Sequence, residues 1–198
     1  MEVIVKHIAI AGLILVVSAF CPILHDVSRS QESSNQSVKV TVAGIEGAIF
    51  SEVYTAGWLP NGIFGLVNPA GSWTPAVGDI EHIERGLKTY LEAAKVDTRL
   101  ADPIYDKSNL ASKDVSRRIG QILHHYERFR RQYFGLMVKG SKKIYVNCFL
   151  DSCVVDDHGY PNWEENLLIE LDGGFTYWQV VYDLETSQFS NLFINGDA

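Results

Sequence analysis

Apolar and polar positions change their spacing several times along this chain. An uncharged apolar run from Ile8 to Phe20 comes first, and a polar stretch over residues 28–37 follows it. Val38-Lys39-Val40-Thr41-Val42 then alternates as a strand does. Gly44, Gly47, Gly57, Gly62, Gly65 and Gly71 punctuate the next segment, with Pro60-Asn61-Gly62 as a turn signal, so irregular structure with a short strand or two is expected there. After Trp73-Thr74-Pro75, Asp79 can cap a helix on which Ile80, Ile83, Leu87, Leu91 and Ala94 recur at helical spacing, ending near Lys95. Ser112 is a cap for a second helix, and Val115, Ile119, Ile122, Leu123, Tyr126 and Phe129 continue its stripe.

Beyond Arg131 the period drops to two. Residues 133–138 and 143–150 read as strands joined by the turn Lys139-Gly140-Ser141-Lys142. Residues 151–165 read as a polar loop, and strands are expected at Leu167–Leu171, Thr176–Tyr182 and Phe189–Asn195. Short connections between successive strands imply an antiparallel meander. The expected fold is therefore α+β, with two helices packed on a meander of about five strands and a cystatin-like roll as one candidate architecture. One domain over residues 38–198 accounts for the length.

The first 24 residues read as a signal peptide or membrane anchor. Val17-Ser18-Ala19 offers small or apolar residues for cleavage before Phe20, and the apolar run has the length of a signal core. Extended through Pro22-Ile23-Leu24 it also suits a single anchor, and Cys21 offers lipidation at a poorly matched lipobox. Each alternative exports the domain to the periplasm or beyond, the last two with a membrane tether. Residues 25–37 are a flexible linker by composition.

The formal net charge of -7 argues against nucleic acid as a partner. That charge is unevenly spread. Residues 113–143 hold nine Lys and Arg against two acids, whereas residues 144–198 hold ten acids and neither Lys nor Arg. Mutual screening of a basic helix and an acidic strand region is one reading. A basic patch for an anionic glycan or lipid is the other, carried by Arg117, Arg118, Arg128, Arg130 and Arg131 with His124 and His125.

Cys148 and Cys153 suit a local disulfide in an exported protein. A metal site with His158 and Asp156 or Asp157 is the sharper alternative, but the spacing fits no zinc pattern, and no cofactor or metal is expected. The acid pairs Asp156-Asp157 and Glu164-Glu165 read as solvated, and His124-His125 as boundary residues. The sequence has no G-x-S-x-G, P-loop, G-x-G-x-x-G or H-E-x-x-H pattern. Aromatics crowd the last strands as core or as a binding platform, and Trp58, Trp73 and Trp163 fall in loops, where such rings often mark contact surfaces. The candidate binding residues are Trp73, Arg131, Tyr133, Trp163 and Trp178.

Residues 73–198 carry Trp73-Thr74-Pro75, Arg131-Gln132-Tyr133-Phe134-Gly135, Lys143-Ile144-Tyr145-Val146-Asn147 and Asp172-Gly173-Gly174. They also carry Tyr177-Trp178-Gln179-Val180-Val181-Tyr182-Asp183 and Asn195-Gly196-Asp197-Ala198. In these the chain resembles a family of exported bacterial proteins with no established activity. The resemblance implies export and brings no ligand or catalytic residue. The leading expectation is a binding or inhibitor-like module of the cell envelope that captures a protein or glycan without catalysis. The alternatives are a hydrolase using Asp156, Asp157 and His158, or an anionic glycan or lipid surface on the Arg-rich helix.

Overall fold

The computed structural model describes residues 36–61, 67–101, 112–155, 162–170 and 173–196. The signal or anchor segment, Cys21 and the Asp156, Asp157 and His158 loop lie outside them. Among the described residues the fold is α+β, with seven strands in one mostly antiparallel sheet. β1 (Ser37–Val42) and β2 (Ile45–Phe50) form a hairpin, followed by α1 (Glu52–Trp58), β3 (Gly71–Trp73) and α2 (Val77–Val96). Next come α3 (Ser112–His124), β4 (Phe129–Val138), β5 (Ser141–Leu150), the short turn of helix α4 (Ser152–Val155), β6 (Tyr177–Asp183) and β7 (Gln188–Ile194).

The strands number more than the five expected, and the order β1-β2-β4-β5-β6-β7 departs from a meander at one edge. β2 runs parallel to the first half of β4, pairing Gly47 with Arg131 and Ile49 with Tyr133. β3 runs antiparallel along the second half of the same edge, pairing Trp73 with Gly135. The chain thus climbs one half of β4, turns aside through α1, and descends the other half. Trp73 folds over Gly135, and its indole N–H donates to the carbonyls of Leu136 and Lys143 at 3.3 Å. A Cβ at residue 135 would stand 2.2 Å from the Trp73 carbonyl oxygen and 2.9 Å from its ring. Two of the hairpin turns, Ala43-Gly44 and Lys139-Gly140, have positive φ at both central residues, as a two-residue turn between twisted strands requires.

Each face of the sheet has its own core. α2 and α3 cover one face: Ile80, Ile83, Leu87 and Leu91 of α2 and Ile119 and Ile122 of α3 meet Tyr133, Val146, Val180 and Trp178. Asp79 starts α2 by accepting the Ala76 amide at 2.8 Å, although Ala76 is the capping position. α3 stops at His124, short of the sequence expectation, because a 3-10 turn over Tyr126–Arg128 leads directly into β4.

The opposite face is aromatic and is covered by α1 and by residues 162–170. Phe50, Phe134, Phe149 and Tyr177 pack there with Trp163 and Leu168. Leu167–Leu171 does not form the expected strand: residues 167–170 have no strand or helix assignment, and residue 171 lies outside the described residues. A ladder of side-chain amides holds this strap instead. Gln132, Asn147 and Gln179 are register neighbours on β4, β5 and β6. Gln132 Nε2 donates to the carbonyls of Trp163 and Asn166 at 2.7 Å, and its Oε1 accepts the Leu168 amide at 3.1 Å. Asn147 Nδ2 donates to Gln132 Oε1 at 2.9 Å and to the Leu168 carbonyl at 2.8 Å.

Two substitutions test these devices. Gly135→Ala forces the Trp73 contact apart and should lower unfolding free energy by about 3 kcal/mol in urea titration. Gln132→Leu strands backbone groups of the strap beneath its own rings. It should cost about 2–4 kcal/mol and speed hydrogen exchange at the Leu168 amide before other strand amides.

Candidate functional site

Four of the five candidate binding residues lie inside the protein. Arg131 and Trp178 are fully buried, and Tyr133 and Trp163 nearly so. Trp73 is half-buried over Gly135, with the Lys142 ammonium 4.7 Å from its ring centroid. None of these five forms the exposed platform that loop position or strand alternation suggested. Trp163 is drawn in with the strap and packs edge-on to Phe149, at 5.5 Å between ring centroids.

Arg131 and Tyr133 belong instead to a buried polar cluster that the sequence reading missed. Its centre is Glu84 of α2, whose side chain is 1% exposed and stands 3.2 Å from Arg131 Nε in an ion pair too bent for a hydrogen bond. The Tyr133 hydroxyl donates to Glu84 Oε1 at 2.9 Å, and the Tyr126 hydroxyl to Oε2 at 3.3 Å. Arg131 Nη1 donates to the Phe129 carbonyl at 2.7 Å and Nη2 to the Tyr126 carbonyl at 3.4 Å. The guanidinium also lies 4.8 Å from the Tyr126 ring centroid. Burial pushes both phenols up, and Glu84 pushes Tyr133 further, so they stay protonated as donors. Burial opposes the charge on Arg131, but the Glu84 carboxylate beside it holds the guanidinium above its ordinary range. The charges cancel, so the cluster ties α2 to β4. The signal was present: Glu84 sits in the stripe with Ile80, Leu87 and Leu91, where an acid needs a buried partner.

The expected disulfide is absent, since Cys148 and Cys153 are both free. Cys148 points from β5 into the helix-side core opposite Trp178, whereas Cys153 lies on α4, beyond the end of the strand. Burial raises the Cys148 thiol far above its usual range, against the pull of Arg131. Burial raises Cys153 as well, against hydrogen bonds from Thr176 and Leu150. Among the described residues no group of three His, Cys, Asp or Glu side chains could hold a metal ion.

The basic run does not form one patch. Arg128 pairs with Asp151 at 2.8 Å and Arg130 with Glu46 at 2.9 Å. Arg118 is buried and donates to the Asn195 carbonyl at 2.5 Å, fastening α3 to the end of the sheet. What is left gathers elsewhere. Arg117, His124 and His125 share a shallow cleft of about 640 Å³ with Ser116, Gly120 and Gln121 of α3 and Lys95 from the end of α2. Lys95 crosses onto α3 where Gly120 leaves room: a Cβ there would lie 3.4 Å from its Cε and 3.6 Å from its Nζ. Arg117 is 57% exposed, 4.0 Å from Asp114, and donates to Gln121 Oε1 at 3.2 Å. The His125 ring stacks on Phe175 at 5.8 Å and meets His124 edge-on at 4.6 Å. Lys95, Ser116, Gly120 and Gln121 were not candidates from sequence, because Lys95 is brought to α3 only by helix packing.

Comparison with protein-family models, with curated proteins and with solved structures returns no match.

The buried cluster predicts strong coupling. Glu84→Gln keeps an acceptor for the tyrosines but leaves Arg131 uncompensated, and should cost about 3–5 kcal/mol. Glu84→Gln with Arg131→Met should recover part of that loss. A double-mutant cycle by urea unfolding should then give an interaction energy above about 1.5 kcal/mol.

Proposed function

We propose that this domain is an exported binding module that takes an anionic ligand in the cleft between α2 and α3. The observation that carries the reading is the convergence of Lys95, Arg117, His124 and His125 on one concave surface. The other arginines of the basic run, Arg118, Arg128, Arg130 and Arg131, are engaged by the Asn195 carbonyl, Asp151, Glu46 and Glu84. Lys95 and Arg117 place two fixed positive charges on one hollow of a chain whose net charge is -7. Export rests on the apolar N-terminal run and its small-residue cleavage site. Binding without catalysis is favoured because Glu84, the buried acid among the described residues, is occupied by Arg131 and two tyrosines.

Retention on a sulfated-polysaccharide column is the direct test. The protein should bind at low ionic strength despite its net charge and elute as salt shortens the screening length to about 10 Å and below. Lys95→Ala with Arg117→Ala should remove retention while leaving Tm within a few degrees, since both lie at the surface. Passage of the wild-type protein straight through the column would refute the reading.

A further inference from the structure

Resting on the cleft as an anion site, we propose that its ligand is an acidic oligosaccharide bearing carboxylates on successive sugar units. The basic side chains form a line and do not surround a point. Arg117 and His124 are seven residues apart on α3, about 10 Å along the axis at 1.5 Å per residue. Lys95 enters between them at Gly120. A single phosphate reaches one end of such a row, whereas a chain with charges at intervals reaches all of it.

Neutral groups interleave the charges. Ser116 and Gln121 line the same hollow, and a hydroxyl and an amide can both donate and accept. Sugar hydroxyls match that pairing, and polyphosphate, which at neutral pH chiefly accepts, does not. The His125 ring lines the same hollow, stacked on Phe175 and edge-on to His124, and an aromatic ring is a surface on which a sugar's C–H face can pack. The hollow also disfavours the other polyanions. A bilayer surface spreads its charge over a plane and matches a single row about 10 Å long less well than a chain does. A nucleic acid long enough to engage the row extends over a protein of net charge -7.

Isothermal titration of the full-length protein with four probes tests this: oligogalacturonate, galacturonate monomer, linear polyphosphate and phosphatidylglycerol vesicles. Oligogalacturonate should bind at least about tenfold more tightly than the monomer, because successive contacts are made by one chain. It should also bind more tightly than polyphosphate or vesicles. Ser116→Ala, which leaves the Arg117–Gln121 contact in place, should weaken oligogalacturonate several-fold and leave residual polyphosphate binding unchanged. Gly120→Leu should displace Lys95 and abolish binding with an unchanged or higher Tm, since leucine favours the helix more than glycine. Equal or tighter binding of polyphosphate or vesicles would overturn the glycan assignment and leave the anion cleft standing. Failure of every probe to bind would overturn both.

Discussion

A carboxylate and a guanidinium shut away from water hold the helical layer to the sheet. Burying either charge alone costs several kcal/mol, so Glu84 and Arg131 are stable inside only together. That condition fixes where α2 sits along β4, because Tyr126 and Tyr133 must reach the same carboxylate. Gly47 belongs to the same constraint: a Cβ there would lie 2.6 Å from the Tyr133 ring, so β2 approaches β4 only because that position is bare. The position of α2 in turn decides where Lys95 emerges, and hence where the cleft with α3 lies.

The other face solves a different problem with neutral groups. The strap over the aromatic layer presents peptide carbonyls and an amide to a surface that would otherwise be apolar. Gln132 and Asn147 meet them from adjacent strands, and Gln179 Nε2 extends the ladder to Asn147 Oδ1 at 3.4 Å. Side-chain amides thus stand where a neighbouring strand would stand. This geometry lets a segment cross the sheet without joining it.

Much of the architecture is legible in periodicity. The stripe from Ile80 to Ala94 forms the buried side of α2, and the pattern after Arg131 gives β4, β5, β6 and β7 close to their expected places. Two readings fail for local reasons. Tyr126 and Phe129 continue the helical stripe because the 3-10 turn keeps them facing the same core, so spacing alone cannot show that α3 has ended. Leu167–Leu171 looks like a strand because its alternate residues are apolar, but the Leu168 amide and carbonyl pair with the Gln132 and Asn147 side chains and the Leu167 amide with the Tyr54 hydroxyl, all remote in sequence. The site was less legible than the fold. Arginines at 117, 118, 128, 130 and 131 look alike in the chain, and only the fold shows that Arg117 lines the cleft with Lys95 while the others pair with Asp151, Glu46, Glu84 or the Asn195 carbonyl.

The shared edge of β4 has a bearing on how the chain comes together. β4 and β5, like β6 and β7, are joined by short turns and pair with their neighbours in sequence, so they form through local contacts. The hairpin of β1 and β2 is made far earlier in synthesis, yet β2 finds its second partner only in residues 131–133. Until then it carries an open row of backbone donors and acceptors. Its residues, Ile45-Glu46-Gly47-Ala48-Ile49-Phe50, hold one charge and no proline. Such a row can template pairing with another chain. The interval before β4 arrives is therefore when nascent copies of this protein are most exposed to joining one another, and Ile45–Phe50 is where a holding chaperone would have most to shield.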